Sequence, residues 1–429
     1  MRIKLKTLGC RLNEAELESW ARQLENDGHA IVTTEETSDL VIFNSCAVTV
    51  DAARKSRNLV RREMRHNPSA KMVLSGCYAT LSPSEADSLG VDLVISNTDK
   101  HRLVDLVQAR FDLRPEHPPS LDHTESALFR RGRQRAFIKV QDGCRYRCTY
   151  CIVTVARGEE RSRPVQEIVD EVNAIYAEGV QEVVLTGVHL GGYGSDIKSG
   201  LDQLIDALLK ESSIPRIRLG SLEPWDIPDT LIGHFDNPRF MPHLHLPLQS
   251  GSDTVLKRMA RRCRTDEFTR LTRLLRASVP DINITTDIIV GFPGETEAEW
   301  QQTLDYASET GFGHIHVFTY SPRSGTPAVG LPNPVPVSLA QERSQVLREL
   351  AERTALSFRK PFLGRLFPVL WEKARIRSDG VTENTGLTPN YLQVTTSSLK
   401  EDLANQITPV WLQTLAEQGK GHYFEVVPT

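Results

Sequence analysis

Residues 141–153 read QDGCRYRCTYCIV and place Cys144, Cys148 and Cys151 within eight positions. Three thiols this close constrain the fold around them, because a single turn of chain must present all three to one object. A disulfide uses two. A structural zinc ion wants four ligands, normally completed by a second CxxC or a nearby histidine, and neither lies near this segment. A C-x3-C-x2-C loop suits a 4Fe–4S cluster held by three thiolates, with the fourth iron free to bind something else. Zinc, or an inert structural role, is the competing assignment.

Seven cysteines in 429 residues are too few for a disulfide scaffold, and an odd number with three clustered favours metal ligation in a reducing compartment. No apolar run approaches the roughly 20 residues of a membrane span, so a cytoplasmic protein without membrane contact is expected. The length allows two or three domains. A net charge of −4 excludes a uniformly basic surface, and any nucleic-acid contact must come from local patches. Two basic runs qualify, Arg54, Lys55, Arg57, Arg61, Arg62 and Arg65, and Lys257, Arg258, Arg261, Arg262 and Arg264. A solvated helix face is the plainer reading of each.

Residues 1–115 alternate short apolar runs with amphipathic stretches, which predicts an α/β domain with a doubly wound parallel sheet. Cys10, Cys46 and Cys77 each fall where an apolar run ends and a helix begins. Such carboxyl ends share one edge of an open sheet, where ligands bind, so these cysteines are expected to meet. Buried, inert thiols are the alternative for each taken singly. Residues 116–133, rich in Pro, His and charge, read as a linker. Residues 134–358 repeat strand and helix with six strands, too few for a closed eight-stranded barrel, which predicts an open (β/α)6 barrel with its function at the carboxyl ends of the strands. Residues 359–429 turn to short β-like runs and predict a small OB-like β-barrel.

With the aromatic Tyr150 just before the last cysteine and the loop at the end of a first barrel strand, the segment resembles the cluster loop of radical SAM enzymes, whose open iron chelates the amino and carboxylate groups of S-adenosylmethionine. The resemblance extends over nearly the whole chain, which looks like a methylthiotransferase with a C-terminal TRAM domain. TLGCRLN, NSCAVT, QDGC, TGVHLGGYG, SLEP, HLHLPLQSGSDTVLKRM, DIIVGFPGET and YSPRSGTPA resemble the branch that modifies N6-threonylcarbamoyladenosine (t6A) in tRNA, typified by TLGCKVN, NTCTVT and QDGC. Arg11-Leu12 stands here for Lys-Val, Ala47 for Thr, and Val153-Thr154-Val155 for Ile-Pro-Tyr. Branches acting on isopentenyladenosine tRNA or on a ribosomal protein are the alternatives, and a non-catalytic iron–sulfur protein is a third.

The resemblance implies two 4Fe–4S clusters, one on Cys144, Cys148 and Cys151 and an auxiliary one on Cys10, Cys46 and Cys77. It implies S-adenosylmethionine both as radical source and as methyl donor, a t6A-bearing tRNA as substrate, an electron donor such as flavodoxin or ferredoxin, and a sulfur donor. Cys263 matches no ligand position and is expected to be structural. Tyr150, Thr186, Gly187, Ser221, Glu223, His245, Gln249 and Gly291, with Gly294 beside it, are the candidate S-adenosylmethionine contacts. Each has a plainer reading as a packed aromatic, a turn glycine or a satisfied buried polar group. For RNA, Arg130, Arg131, Arg133 and Arg135 are the candidate phosphate contacts, and Trp371, Tyr391 and Trp411 are either stacking or core aromatics.

Overall fold

The computed structural model describes residues 1–32, 36–113, 134–378, 380–398, 402–418 and 421–426. The expected linker at 116–133, with Arg130, Arg131 and Arg133, lies outside the described residues.

The N-terminal sheet is parallel throughout, in the order β2-β1-β3-β4-β5, formed by β1 (Arg2–Thr7), β2 (Ala30–Val32), β3 (Leu40–Ser45), β4 (Lys71–Gly76) and β5 (Leu93–Ile95). Every residue of β3 is buried, as a central strand covered on both faces requires. Helix α1 (Arg11–Asn26) buries Leu12, Leu17, Trp20 and Leu24 along one stripe. Helix α2 (Val50–His66) is capped by the Thr49 side chain, which accepts from the Ala52 amide. Gly76, at φ +98°, lets β4 run straight into helix α3 (Cys77–Leu81), and a Cβ there would lie 2.3 Å from the Ser45 carbonyl oxygen. Only glycine fits that turn.

The second sheet has six parallel strands, as expected for an open barrel. Strands β6 (Arg135–Lys139), β9 (Glu182–Thr186) and β10 (Arg216–Leu219) form one half, in the order β10-β9-β6. Strands β11 (His243–His245), β12 (Asn283–Val290) and β13 (His314–Thr319) form the other, and single bridges Ile217–Phe240 and Ser221–His245 join the halves. Alternate residues such as Ile138, Val183, Leu185, Leu219 and Ile284 pack in the main core. Those between them, including Phe137 and Val184, belong to a different, inner set that packs with Ala15 of α1. Helix α1 thus lies along the free edge of β6, where Glu18 accepts from the Phe137 amide at 3.0 Å. The other free edge, β13, leaves Phe318 49% exposed.

The floor of this barrel is ionic. Glu182 is fully buried and faces Arg218 at 2.8 Å, Arg135 at 3.6 Å and Arg216 at 3.7 Å. Burial disfavours its charge, but the three guanidiniums hold its carboxyl down to about 2. Arg135 also pairs with Glu372 at 2.6 Å and is 9% exposed, which corrects its assignment as an RNA phosphate contact.

The C-terminal region is a six-stranded sheet, mainly antiparallel, in the order β17-β14-β15-β16-β19-β18. It is built from β14 (Leu366–Ile376), β15 (Thr382–Leu387), β16 (Gln393–Ser398), β17 (Ile407–Trp411), β18 (Thr414–Gln418) and β19 (Gly421–Glu425). Its turn after β15 plugs the barrel floor: Tyr391 stacks on His243 with centroids 4.6 Å apart, and the Pro389 carbonyl accepts from Arg218. Tyr391 is therefore committed to the floor. Trp371 is fully buried in the core and donates to Thr408, leaving Trp411, 47% exposed, as the most exposed aromatic of the three.

Candidate functional site

The barrel loop is shaped before it meets any ligand. Two short strands, β7 (Gln141–Asp142) and β8 (Arg161–Ser162), pair antiparallel and close it at its base. Gly143, at φ +74°, leaves no room for a Cβ, which would sit 1.9 Å from the Glu159 carbonyl oxygen. The Gln141 amide donates to the Asp142 and Gly143 carbonyls, and its oxygen accepts from the His189 amide. The Cys151 amide donates to the Cys148 carbonyl, and Cys144 to Gly158. Burial pushes the Cys144 thiol up to about 11 and Cys151 to about 12, and neighbouring thiols add to both. Binding a metal there must release protons.

A cation waits beside this loop. Arg261 is 2% exposed, pairs with Glu223 at 2.6 Å, and lies 3.9 Å from the Cys148 sulfur. Tyr150 packs with Val255, Met259, Phe292 and Ala328, and burial raises its pKa well above the ordinary phenol value. Under the loop, the Tyr146 hydroxyl donates to Asp226 at 2.9 Å, and His189 bonds both Asp226 and Glu160. Burial works against the His189 cation, yet the two carboxylates raise its pKa above the usual imidazole range.

The N-terminal triad forms where the strand ends converge. Cys10 follows β1 and is exposed, while Cys46 follows β3 and Cys77 follows β4, exposed by 6% and 4%. Burial drives the Cys46 thiol up to about 11, and Cys77 and Cys10 push in the same direction. Its floor comes from the other domain. The short helix Val153–Arg157, which begins two residues after Cys151, ends in Arg157, 2% exposed. That guanidinium donates to Asn13 at 2.8 Å, to Glu16 at 3.0 Å and to Asp142 at 3.0 Å. Asn13 lies 3.8 Å from the Cys10 sulfur. Asn97 donates to the Ala156 carbonyl at 2.8 Å and lies 3.7 Å from the Cys77 sulfur. The segment that carries the barrel cysteines is thus clamped to the N-terminal ones.

Charge at this junction favours an anion. Arg157, Lys100 and Lys139 converge on Glu16, and Lys139 and Arg157 also on Asp142. Burial opposes the Glu16 charge, but the cations hold its carboxyl well below the ordinary range. Three cations against two carboxylates leave one positive charge in excess beside three thiols. Both triads therefore fit an iron–sulfur cluster by donor set and by a buried cation within reach of the sulfurs.

The other expected residues divide. Thr186, Gly187, Ser221 and Glu223 end β9 or follow β9 and β10 near the loop, and a Cβ on Gly187 would crowd Gln141. His245 ends β11 and lies 3.3 Å from Asp287. Gln249 holds φ +77° and its backbone bridges to Asp287 and Ile289. At Gly291 the space of a side chain is taken by Ala340, 2.6 Å from a built Cβ, so helix packing accounts for that glycine. Gly294, at φ +77°, has only the Arg258 side chain and the Pro332 carbonyl near its missing Cβ. Cys263 is buried in the main core. Sequence reasoning missed Arg157, Asn13, Asn97 and Glu16, and treated Arg261 as one of a solvated run.

A model for the radical SAM superfamily matches residues 138–307, and one described as uncharacterized protein family UPF0004 matches residues 2–96. The threonylcarbamoyladenosine tRNA methylthiotransferase of Thermotoga maritima is 40% identical over 377 residues, 86% of each chain. The chain belongs to the radical SAM methylthiotransferases. The Bacillus subtilis threonylcarbamoyladenosine tRNA methylthiotransferase is 34% identical, covering 95% of this chain and 93% of its own. A tRNA-2-methylthio-N6-dimethylallyladenosine synthase of Maricaulis maris is 35% identical with 87% of each covered. Among solved structures, the radical S-adenosylmethionine methyltransferase TsrM of Kitasatospora setae matches with a TM-score of 0.55 at 15% identity, over 75% of this chain and 74% of that one, a likeness of fold alone. Among the described residues no helix is long and apolar enough to cross a membrane.

Proposed function

We propose that this methylthiotransferase acts in the cytoplasm on C2 of t6A in a tRNA anticodon loop. The observation that carries the reading is the joining of the two cysteine triads through Arg157 and Asn97, so that two redox-active sites address one substrate. Cys144, Cys148 and Cys151 would hold one 4Fe–4S cluster and Cys10, Cys46 and Cys77 another. With S-adenosylmethionine these supply the one-electron cleavage, the sulfur and the methyl group that no side chain can. Tyr150, Thr186, Gly187, Ser221, Glu223, His245, Gln249 and the backbone at Gly291 line the cofactor's position. Arg261 sits by Cys148 to offset thiolate charge. A flavodoxin or ferredoxin supplies electrons and a separate donor replenishes sulfur. The anticodon loop is single-stranded, so its base enters the barrel without opening a duplex.

The domain assignment proposed with this reading is 1–115 for the auxiliary cluster, 134–358 for the radical step and 359–429 for RNA. Mass spectrometry of tRNA nucleosides from cells with and without the gene tests the function. The 2-methylthio derivative of t6A should vanish while t6A itself accumulates. Loss of the methylthio-isopentenyl nucleoside instead, or no change, overturns the substrate.

A further inference from the structure

The three cations at the junction beneath the N-terminal triad all contact Glu16, and a fourth cation nearby stands outside that network. Arg11 opens α1 directly after Cys10 and is exposed. Its guanidinium lies 4.9 Å from the centroid of Phe137, the inner-face residue of β6, and no carboxylate pairs with it among the described residues. On the opposite free edge, β13, His316 is in register with Asp287 of β12. That acid's Oδ1 lies 3.3 Å from His245 Nε2, and the Nδ1 of His245 is held by the Thr285 hydroxyl at 3.0 Å. His314 stacks edge-on against His316 at 4.5 Å. Burial and His245 lower the His316 pKa, Asp287 opposes them, and the Arg11 charge is close enough to lower it further. The seam between β6 and β13 thus holds a guanidinium without a carboxylate partner on one side, and His316 with Asp287 beside it on the other.

We infer that Arg11, with an N–H of His316, forms a carboxylate-binding subsite in the barrel lumen that reads the acid group on the N6 substituent of the target base. The inference rests on the function proposed above, because a threonylcarbamoyl group ends in a carboxylate that is ionised at neutral pH. A bidentate guanidinium is the side chain suited to that planar anion. The ligand atoms of His245, Asp287 and His316 lie within 4.8 Å of one another, a spacing that also suits a divalent ion. Asp287 favours a cation at that spacing, whereas the charge of Arg11, which has no carboxylate partner among the described residues, reaches His316 and favours an anion; the EDTA arm of the test separates the two.

The test uses reconstituted full-length protein and two anticodon stem-loop RNAs, one carrying t6A and one carrying the same group with its carboxylate converted to a primary amide. Fluorescence anisotropy gives affinities for the parent, Arg11→Gln and Arg11→Lys, with and without EDTA. The parent should prefer the acid by on the order of tenfold, the scale of one charge-assisted hydrogen bond. Arg11→Gln should bring the two loops within about twofold by weakening the acid alone, its unchanged affinity for the amide showing that it is folded, and Arg11→Lys should keep part of the preference. Equal binding of both loops by the parent overturns the subsite while leaving methylthiolation of t6A standing, since nucleoside analysis reports that separately. Equal weakening of both loops by Arg11→Gln makes Arg11 a phosphate contact and also overturns it. A preference that EDTA abolishes and Arg11→Gln spares overturns it in favour of a metal.

Discussion

The two cysteine triads reach the same junction by opposite routes. Cys144, Cys148 and Cys151 occupy one loop whose shape is set locally, by Gly143, by the Gln141 amide and by the β7–β8 pair at its base. Cys10, Cys46 and Cys77 are 36 and 31 residues apart and meet because β1, β3 and β4 are neighbours in one parallel sheet. The first triad can exist wherever its loop does. The second needs a whole domain, and its floor is borrowed from the barrel through Arg157. Local ligands suit a site that must hold an open position for a small cofactor, whereas ligands spread over strand ends leave a broad edge open to a macromolecule.

The largest effect should come from the local triad. Replacing Cys144, Cys148 and Cys151 together with Ala should abolish both 5'-deoxyadenosine and methylthio product, and leave about half the iron of a parent with two four-iron clusters. Iron content equal to the parent's would mean that the barrel triad holds no cluster of its own. The spread triad should separate the two outputs. With Cys10, Cys46 and Cys77 changed to Ala, reduced protein should still release 5'-deoxyadenosine and make no methylthio-t6A, read by chromatography of the same reactions. Methylthiolation that survives would remove the N-terminal cysteines from the reaction.

How much of this was legible in the sequence follows the same contrast. The barrel loop could be read directly, since its three ligands lie within eight residues. The N-terminal triad could be inferred from a rule about strand ends, because alternation of apolar runs and helices dictates a parallel sheet. Arg157 could not, for its partners Asn13 and Glu16 are 144 and 141 residues away. Charge runs misled for a related reason. Arg135 ends an arginine-rich stretch that suggests RNA, yet β6 carries it to the barrel floor against Glu182, and composition does not reveal which member of a basic run turns inward. Arg261 likewise leaves its exposed neighbours to lie beside Cys148. In the C-terminal sheet, short β-like runs marked the strands without showing that the turn at Tyr391 would serve the barrel rather than the RNA.

Arg157 is where the two routes join, and changing it should weaken the borrowed site more than the local one. Breaking a buried, hydrogen-bonded ion network by removing one partner costs about 3–5 kcal/mol. In a Cys144, Cys148, Cys151 to Ala background, where any iron belongs to the N-terminal triad, Arg157→Gln should lose most of that iron and Arg157→Lys should retain more. In the opposite background, lacking the N-terminal cysteines, Arg157→Gln should change iron content less. Equal losses in both backgrounds would show that Arg157 serves the fold at large and not the spread triad.

The smallest effect on either cluster should come from the barrel floor, which matches the junction in chemistry but lies away from the cysteines. Glu182 there is held down to about 2 by three guanidiniums, against an ordinary glutamate value near 4.3 in an unfolded chain. A carboxyl with a depressed folded pKa contributes stability above its unfolded pKa and loses that contribution as pH falls toward the folded one. Stability of the cluster-free protein should therefore drop between about pH 4.3 and 2, and Glu182→Gln, already lacking the charge, should drop less steeply over that window. Thermal unfolding of the two proteins at stepped pH measures the difference in slope. Iron content of the folded Glu182→Gln variant at neutral pH should stay at the parent's value, since its ion network touches neither triad. Parallel stability curves would mean that the floor carries no such linkage, and iron lost along with the charge would mean that floor and junction form one network.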